Sequence, residues 1–198
     1  MNIVVFGATG HIGQRLVARA LEDNHTVTAF VREKSRLRVS DDNLRIVVGN
    51  VLERTSVTAA LVGQDVVFCA LGTCGDLRPT VVLSEGTRHI TREMRQYGTK
   101  RIVCLLSGWV FANRPPLRLR AVVADHVRQL EVLRQSHLNW VGVCPSQVVE
   151  CPATGQCRVA VNALPVQGYR IAMDDLVNFM LEQVSSQQYL FQSIGIAN

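Results

Sequence analysis

Val4-Val5-Phe6-Gly7-Ala8-Thr9-Gly10-His11-Ile12-Gly13 carries a short apolar strand into a turn with a glycine at every third position. Beyond the turn, Ile12, Leu16, Val17 and Ala20 fall on one face of a helix. Gly7 permits a tight strand-to-helix turn, Gly10 lets a pyrophosphate approach the backbone, and Gly13 lets the helix pack closely on the strand. Phosphates held there would face free amides and the positive end of the helix dipole. The glycine spacing departs slightly from G-x-G-x-x-G, but strand, glycines and helix in this order predict a dinucleotide site.

Outward from this turn, the chain alternates between the two kinds of element. Strands are predicted at 2–6, 26–31, 45–48, 65–70, 101–106 and 139–144, and helices at about 11–22, 54–62, 80–97, 118–136 and 174–184. Several strands are apolar almost throughout, such as Ile102-Val103-Cys104-Leu105-Leu106, as expected of a parallel sheet covered on both faces. The pattern predicts a single-domain α/β protein over 1–198, with the Rossmann-type, doubly wound parallel sheet. After Pro145 the alternation weakens, and short β-like pieces near 158–161 and 168–171 read as a small C-terminal lobe on the substrate side. Substrate-side elements are expected mainly at 107–118 and 145–172.

Composition narrows the class further. At 198 residues, one domain buries roughly 70% of its unfolded surface. No apolar run approaches the roughly 20 residues needed to span a bilayer, and the start has no basic segment followed by an apolar one. A cytoplasmic protein with no membrane partner is expected. Cys69, Cys104 and Cys144 fall in predicted core strands and Cys74, Cys151 and Cys157 in loops; with no CxxC or zinc spacing, reduced thiols and no metal site are expected. The net charge of +5 is scattered and accompanied by few aromatics, so a small anionic ligand explains it without nucleic acid.

The end of the second strand bears on which nucleotide is bound. An acidic residue there binds the ribose hydroxyls of NAD, whereas an arginine accommodates the extra phosphate of NADP. Thr26–Val31 is followed by Arg32, with Ser35 and Arg36 close behind, and Glu33 is expected to face solvent. Charge-assisted hydrogen bonds of roughly 1.5–3 kcal/mol each, reduced by screening, favour NADP by roughly tenfold to several hundredfold.

The Tyr-x-x-x-Lys pair that gives a proton to a developing alkoxide in short-chain dehydrogenases is missing. The helix at 118–136 holds neither residue, and Tyr97 and Lys100 are three apart, at the end of an earlier helix. Hydride transfer to a conjugated ring needs less help, because charge spreads over the ring and solvent can supply the proton. Positioning then supplies most of the rate.

Phe6-Gly7-Ala8-Thr9-Gly10, Val31-Arg32 with Ser35-Arg36-Leu37, Val47-Val48-Gly49-Asn50-Val51-Leu52, Leu71-Gly72-Thr73, Asp76-Leu77, Ser84-Glu85-Gly86, Pro115-Pro116, Asp125-His126 and Phe179-Met180-Leu181 occur in this order. The chain thereby resembles the biliverdin-IXβ reductase family, also called NADPH-dependent flavin reductases, among the atypical, NmrA-like short-chain dehydrogenases. The resemblance implies a monomer that uses NADPH to reduce flavins (FMN, FAD) and non-α biliverdin isomers. By position it implies cofactor contacts at Gly7, Thr9, Gly10, His11, Ile12, Arg32, Arg36, Asn50, Val51, Leu71, Gly72 and Thr73.

The same resemblance implies that Ser107 is the active-site serine, orienting the nicotinamide amide or the acceptor, although a strand-end serine also commonly bonds its own backbone. It implies His126 near the nicotinamide ribose, whereas its stripe with Leu119, Val122, Leu130 and Leu133 reads equally as core. Trp109 and Phe111 offer a flat face to a flavin or linear tetrapyrrole, or anchor a loop. Arg118 meets an anionic substituent, or solvent.

The sequence departs from the family in two places. Asn50 replaces the family's usual aspartate, and its amide oxygen still accepts from an adenine amino group. Ser146 and Gln147 replace a proline and a histidine; Gln147, a cofactor-side position, hydrogen-bonds but does not titrate. The alternative class is an NmrA-like protein that binds NADP without turnover and signals redox state.

Overall fold

The computed structural model describes residues 1–198. Strands β1 (Asn2–Phe6), β2 (Thr26–Val31), β3 (Leu44–Val48), β4 (Val66–Cys69), β5 (Arg101–Leu105) and β6 (Asn139–Pro145) match the apolar runs of the sequence to within two residues at either end. Helices α1 (His11–Glu22), α2 (Arg54–Leu61), α3 (Val82–Tyr97), α4 (Arg120–Arg134) and α5 (Met173–Glu182) fill the amphipathic stretches. The predicted helix start at 118 is a 3-10 turn, Leu117–Leu119, that leads into α4. No helix is long and apolar enough to cross a membrane.

Three shorter strands, β7 (Gln147–Val149), β8 (Arg158–Val161) and β9 (Arg170–Ala172), and the last strand, β10 (Gln192–Ala197), complete the chain. The main sheet runs β3-β2-β1-β4-β5-β6-β10-β8, parallel except where β8 pairs antiparallel with β10. β10 was not anticipated, because its short, glycine-containing run pairs only with distant strands. Gly195 lies so close to the Ala163 carbonyl that a Cβ would stand 1.8 Å from its oxygen. The 158–161 piece therefore extends the main sheet. Only β7 and β9, paired in a separate two-stranded sheet, form the small addition beyond it.

Alternate residues of each strand feed opposite faces, as the period of two requires. Val5, Phe68, Val103 and Val141 pack with Leu16 and Val17 of α1 and Leu176 and Met180 of α5. Val4, Val67, Ile102 and Trp140 pack with Leu61 of α2, Ile90 and Met94 of α3, and Leu133 of α4. The chain moves outward from β1 through β2 to β3, then returns to the other side of β1 at β4. That reversal opens a crevice at the carboxyl ends of β1 and β4, where α/β sheets bind ligands.

Candidate active site

The first turn is shaped by backbone crowding. Gly7 adopts φ +84°, and a Cβ there would stand 2.2 Å from the Ala70 carbonyl oxygen. A Cβ on Gly13 would stand 2.1 Å from the Gly7 oxygen, so α1 can begin this close to β1 only with glycine at both positions. Gly10 meets nothing closer than 3.3 Å. It lines the crevice, so the missing side chain leaves the backbone open to a ligand there. Gly10 donates its N–H to the Gly7 oxygen at 3.0 Å, and Gln14 Nε2 donates to the Thr9 oxygen at 3.0 Å, which fixes the turn. No side chain caps α1 and its first turn carries no acidic residue. The free amides and positive helix end thus fit a pyrophosphate group.

A cleft of about 1450 Å³ opens from this turn. Drug-sized ligands occupy sites of roughly 300–1,000 Å³, so the cleft is large enough for a dinucleotide. Gly7, Thr9, Gly10, His11, Ile12, Gly13, Arg32, Ser35, Arg36, Asn50, Val51, Leu71, Gly72 and Thr73 all line it. Glu33 is exposed, as expected. The Asn50 side-chain oxygen accepts the Leu52 N–H at 3.1 Å, so part of its acceptor capacity closes its own turn.

Ser107, Trp109, Phe111, Arg118, His126 and Gln147 are not in the wall of this cleft. Ser107 Oγ accepts from Trp109 N at 3.3 Å and caps the 3-10 turn Gly108–Phe111, the backbone role a strand-end serine commonly takes. Its hydroxyl proton is left free to donate. Trp109 is partly exposed, Phe111 is half-buried against the α3–α4 side of the core, and Arg118 is exposed. Gln147 is exposed at the start of β7, its N–H bonded to the Tyr169 oxygen at 3.3 Å. A Cβ on Gly108 would touch both the Pro145 oxygen and Leu164, so this turn sits where β5, β6 and the segment before β9 converge.

His126 is half-buried on α4 with Nδ1 3.0 Å from Gln129 Oε1. The buried Gln129 amide donates to Thr87 Oγ1 at 3.0 Å and to Cys104 Sγ at 3.3 Å. Burial pushes the imidazole below its ordinary pKa of 6.5, against the opposing pull of the Gln129 bond and the Asp125 charge. With its amide nitrogen committed to Thr87 and Cys104, Gln129 turns Oε1 to the ring, where it accepts from Nδ1 in the tautomer that carries the proton there.

Several residues of the site escaped sequence reading. Gln14, Arg38, Cys74, Asp76, Arg78, Thr80, Val82, Leu105 and Glu150 line the cleft. Asp125 is fully buried and accepts from Leu83 N (3.0 Å), Ser84 Oγ (2.5 Å) and Arg128 Nη2 (3.1 Å), which locks the start of α3 against α4. Asp175 accepts from the Thr154 N–H, the Gly155 N–H and Asn198 Nδ2, and so holds the loop that begins with Glu150 at the cleft mouth. The Asp-x-Arg spacing at 76–78 was readable as a turn, but its position over the crevice was not. All six cysteines are unpaired, with Cys69, Cys104 and Cys144 buried.

The strand-turn-helix junction, the uncapped helix start and the arginines beyond β2 together define a dinucleotide-binding protein of the Rossmann class. The family profile described as NAD(P)H-binding matches residues 7–187, and the chain belongs to that family, with a nicotinamide dinucleotide as its cofactor. A 3-diazoavenalumate denitrifying reductase from a Streptomyces species is 32% identical over 127 residues, 59% of this chain and 41% of that one. The chain spans less than half the length of the curated relatives it matches.

Among solved structures, a wide-type short-chain dehydrogenase/reductase from Veillonella parvula in complex with NADP superposes with TM-score 0.82 and 16% identity, over 100% of this chain and 94% of that one. A Streptococcus pneumoniae protein described as a candidate NADH-flavin reductase superposes with TM-score 0.85 and 18% identity, over 100% of this chain and 99% of that one. At these identities the likeness is one of fold.

Proposed function

We propose that the protein is an NADPH-dependent reductase of flat, conjugated acceptors, namely flavins and linear tetrapyrroles of the non-α biliverdin type. The observation that carries this reading is the polarity of the cleft from one end to the other. Arginines 32, 36 and 38 crowd one end, while the other, around Leu71, Gly72, Val82 and Leu105, has no tyrosine–lysine pair. NADPH supplies a hydride when bound. Arg32, Ser35 and Arg36 hold its additional phosphate, the glycine turn its pyrophosphate, and Leu71, Gly72 and Thr73 its path towards β5. Ser107 orients the acceptor by donating its free hydroxyl proton, and the exposed Trp109 offers an aromatic face, while Phe111 anchors the turn on the core. The curated relative described as a reductase supports the same class of chemistry.

The test follows NADPH oxidation at 340 nm with FMN and then biliverdin-IXβ, in wild type beside Ser107→Ala. Turnover is expected in wild type, with a roughly tenfold or greater loss in the variant. Turnover untouched by the variant would remove Ser107 from the chemistry. Because Ser107 already caps its own turn, a second reading is an NADP(H)-binding redox sensor. Tight NADPH binding without oxidation by either acceptor would favour it.

A further inference from the structure

Arg78 stands on the loop between β4 and α3, in the wall of the cofactor cleft. The loop turns at Thr73–Asp76, with Cys74 at φ +53° and Gly75 at φ +85°, closed by Asp76 N–H to the Thr73 oxygen at 3.0 Å. Its tip meets the end of β2, where Arg32 Nη2 lies 3.8 Å from Cys74 Sγ. At its base, Arg128 Nη2 donates to the Thr80 oxygen at 2.9 Å, and Arg128 is itself held by Asp125. The loop is thus held at its base by Arg128, with its tip beside the β2 corner of the cleft.

Within the loop, the Asp76 carboxylate holds Arg78 side-on. Nε donates to both carboxylate oxygens at 3.0 Å, and Nη2 donates to Oδ2 at 2.7 Å. The Arg78 N–H adds a bond to Oδ1 at 3.0 Å. This pairing uses the Nε–Nη2 edge and leaves Nη1 without a protein partner. A guanidinium fixed by one edge and free at the other is pre-organised to receive a phosphate.

We infer that Arg78, oriented by Asp76, is a second arm of the adenosine 2′-phosphate site. It would close on the phosphate from the β4–α3 loop, opposite the arginines after β2. The inference rests on placing that phosphate at Arg32. It adds a selector for NADPH over NADH that the β2 corner does not contain.

The experiment measures dissociation constants for NADPH, NADH and the fragment 2′,5′-ADP by calorimetry, with thermal melting of each variant as a check on folding. Arg78→Ala is expected to weaken NADPH and 2′,5′-ADP by about tenfold, less at high salt, and to leave NADH within about twofold. Asp76→Asn is expected to weaken NADPH by about threefold, because the arm loses its support but keeps its charge. Equal losses for NADPH and NADH, or no change in either, would overturn the role of Arg78. Tighter NADPH binding by Asp76→Asn would show the carboxylate competing with the phosphate, and would overturn the orienting role.

Arg32→Ala is the control for the premise. If it leaves the NADPH-to-NADH ratio intact while Arg78→Ala collapses it, the placement at Arg32 fails and Arg78 is the selector. If neither variant moves the ratio, both assignments fail.

Discussion

Gly7 and Gly13 carry the tightest approaches around the cofactor turn, and each does so for a backbone reason. At Gly7 a side chain meets both an unfavourable positive φ and the Ala70 carbonyl; at Gly13 it meets the Gly7 carbonyl and the Ala8 Cα. Gly7→Ala is expected to cost about 2–4 kcal/mol in urea denaturation and to abolish NADPH binding, because the turn must open before the methyl fits. Retention of wild-type stability would mean that the turn relaxes easily. Ser107 and His126 show how a residue's chemistry can be legible while its partner is not. The self-capping of Ser107 depends on the tight turn after β5. The Gln129 contact of His126 lies three residues along its own helix, but the burial that lowers its pKa depends on how α4 is packed in the fold.

At the scale of elements, the junction between α3 and α4 governs the cleft wall that Arg78 occupies. Helix starts leave unsatisfied N–H groups; at α3 the N-cap Val81 supplies no acceptor, and Thr80 Oγ1 takes only the first N–H, from Val82. The buried Asp125 on α4 supplies the missing acceptors across 41 and 42 residues of sequence. Asp125→Ala is expected to destabilise the protein by about 2–4 kcal/mol, read as a lower urea midpoint, because buried donors lose their acceptor. Asp125→Asn, which retains one acceptor oxygen, should cost less. Equal stability of all three proteins would show that water caps α3 instead.

Across the whole molecule, stability depends on pH through groups buried in different places. His126 is held below 6.5 by burial, so its contribution is complete above pH 6.5 and is lost as pH falls through its folded value. Burial raises Glu93, but bonds from Arg54 and Thr58 outweigh this and hold it below its ordinary 4.5. Burial likewise raises Asp175, and bonds from Thr154, Gly155 and Asn198 hold it below 3.8. Both acids therefore stabilise above their unfolded values and lose that contribution as pH falls through their folded ones. The melting temperature is expected to be flat from pH 8 to 7, to decline below about 6.5, and to drop again below about 4.5. In His126→Gln, the first decline should disappear and the second remain. An unchanged profile in the variant would assign the first decline to another group.

The sequence by itself determined the alternating architecture, the glycine turn and the arginines after β2. These rest on local periodicity and on backbone sterics within a few residues. The placement of β10 between β6 and β8, the Asp125 cap and the Arg78–Asp76 arm over the cleft were decided only by the tertiary structure. Asp76 and Arg78 look like an ordinary surface turn when read along the chain. Their position over the cleft arises because the order of strand addition reverses at β1 and brings the β4–α3 loop beside the end of β2. Side chains that meet in this way through sheet order have no sequence period to reveal them.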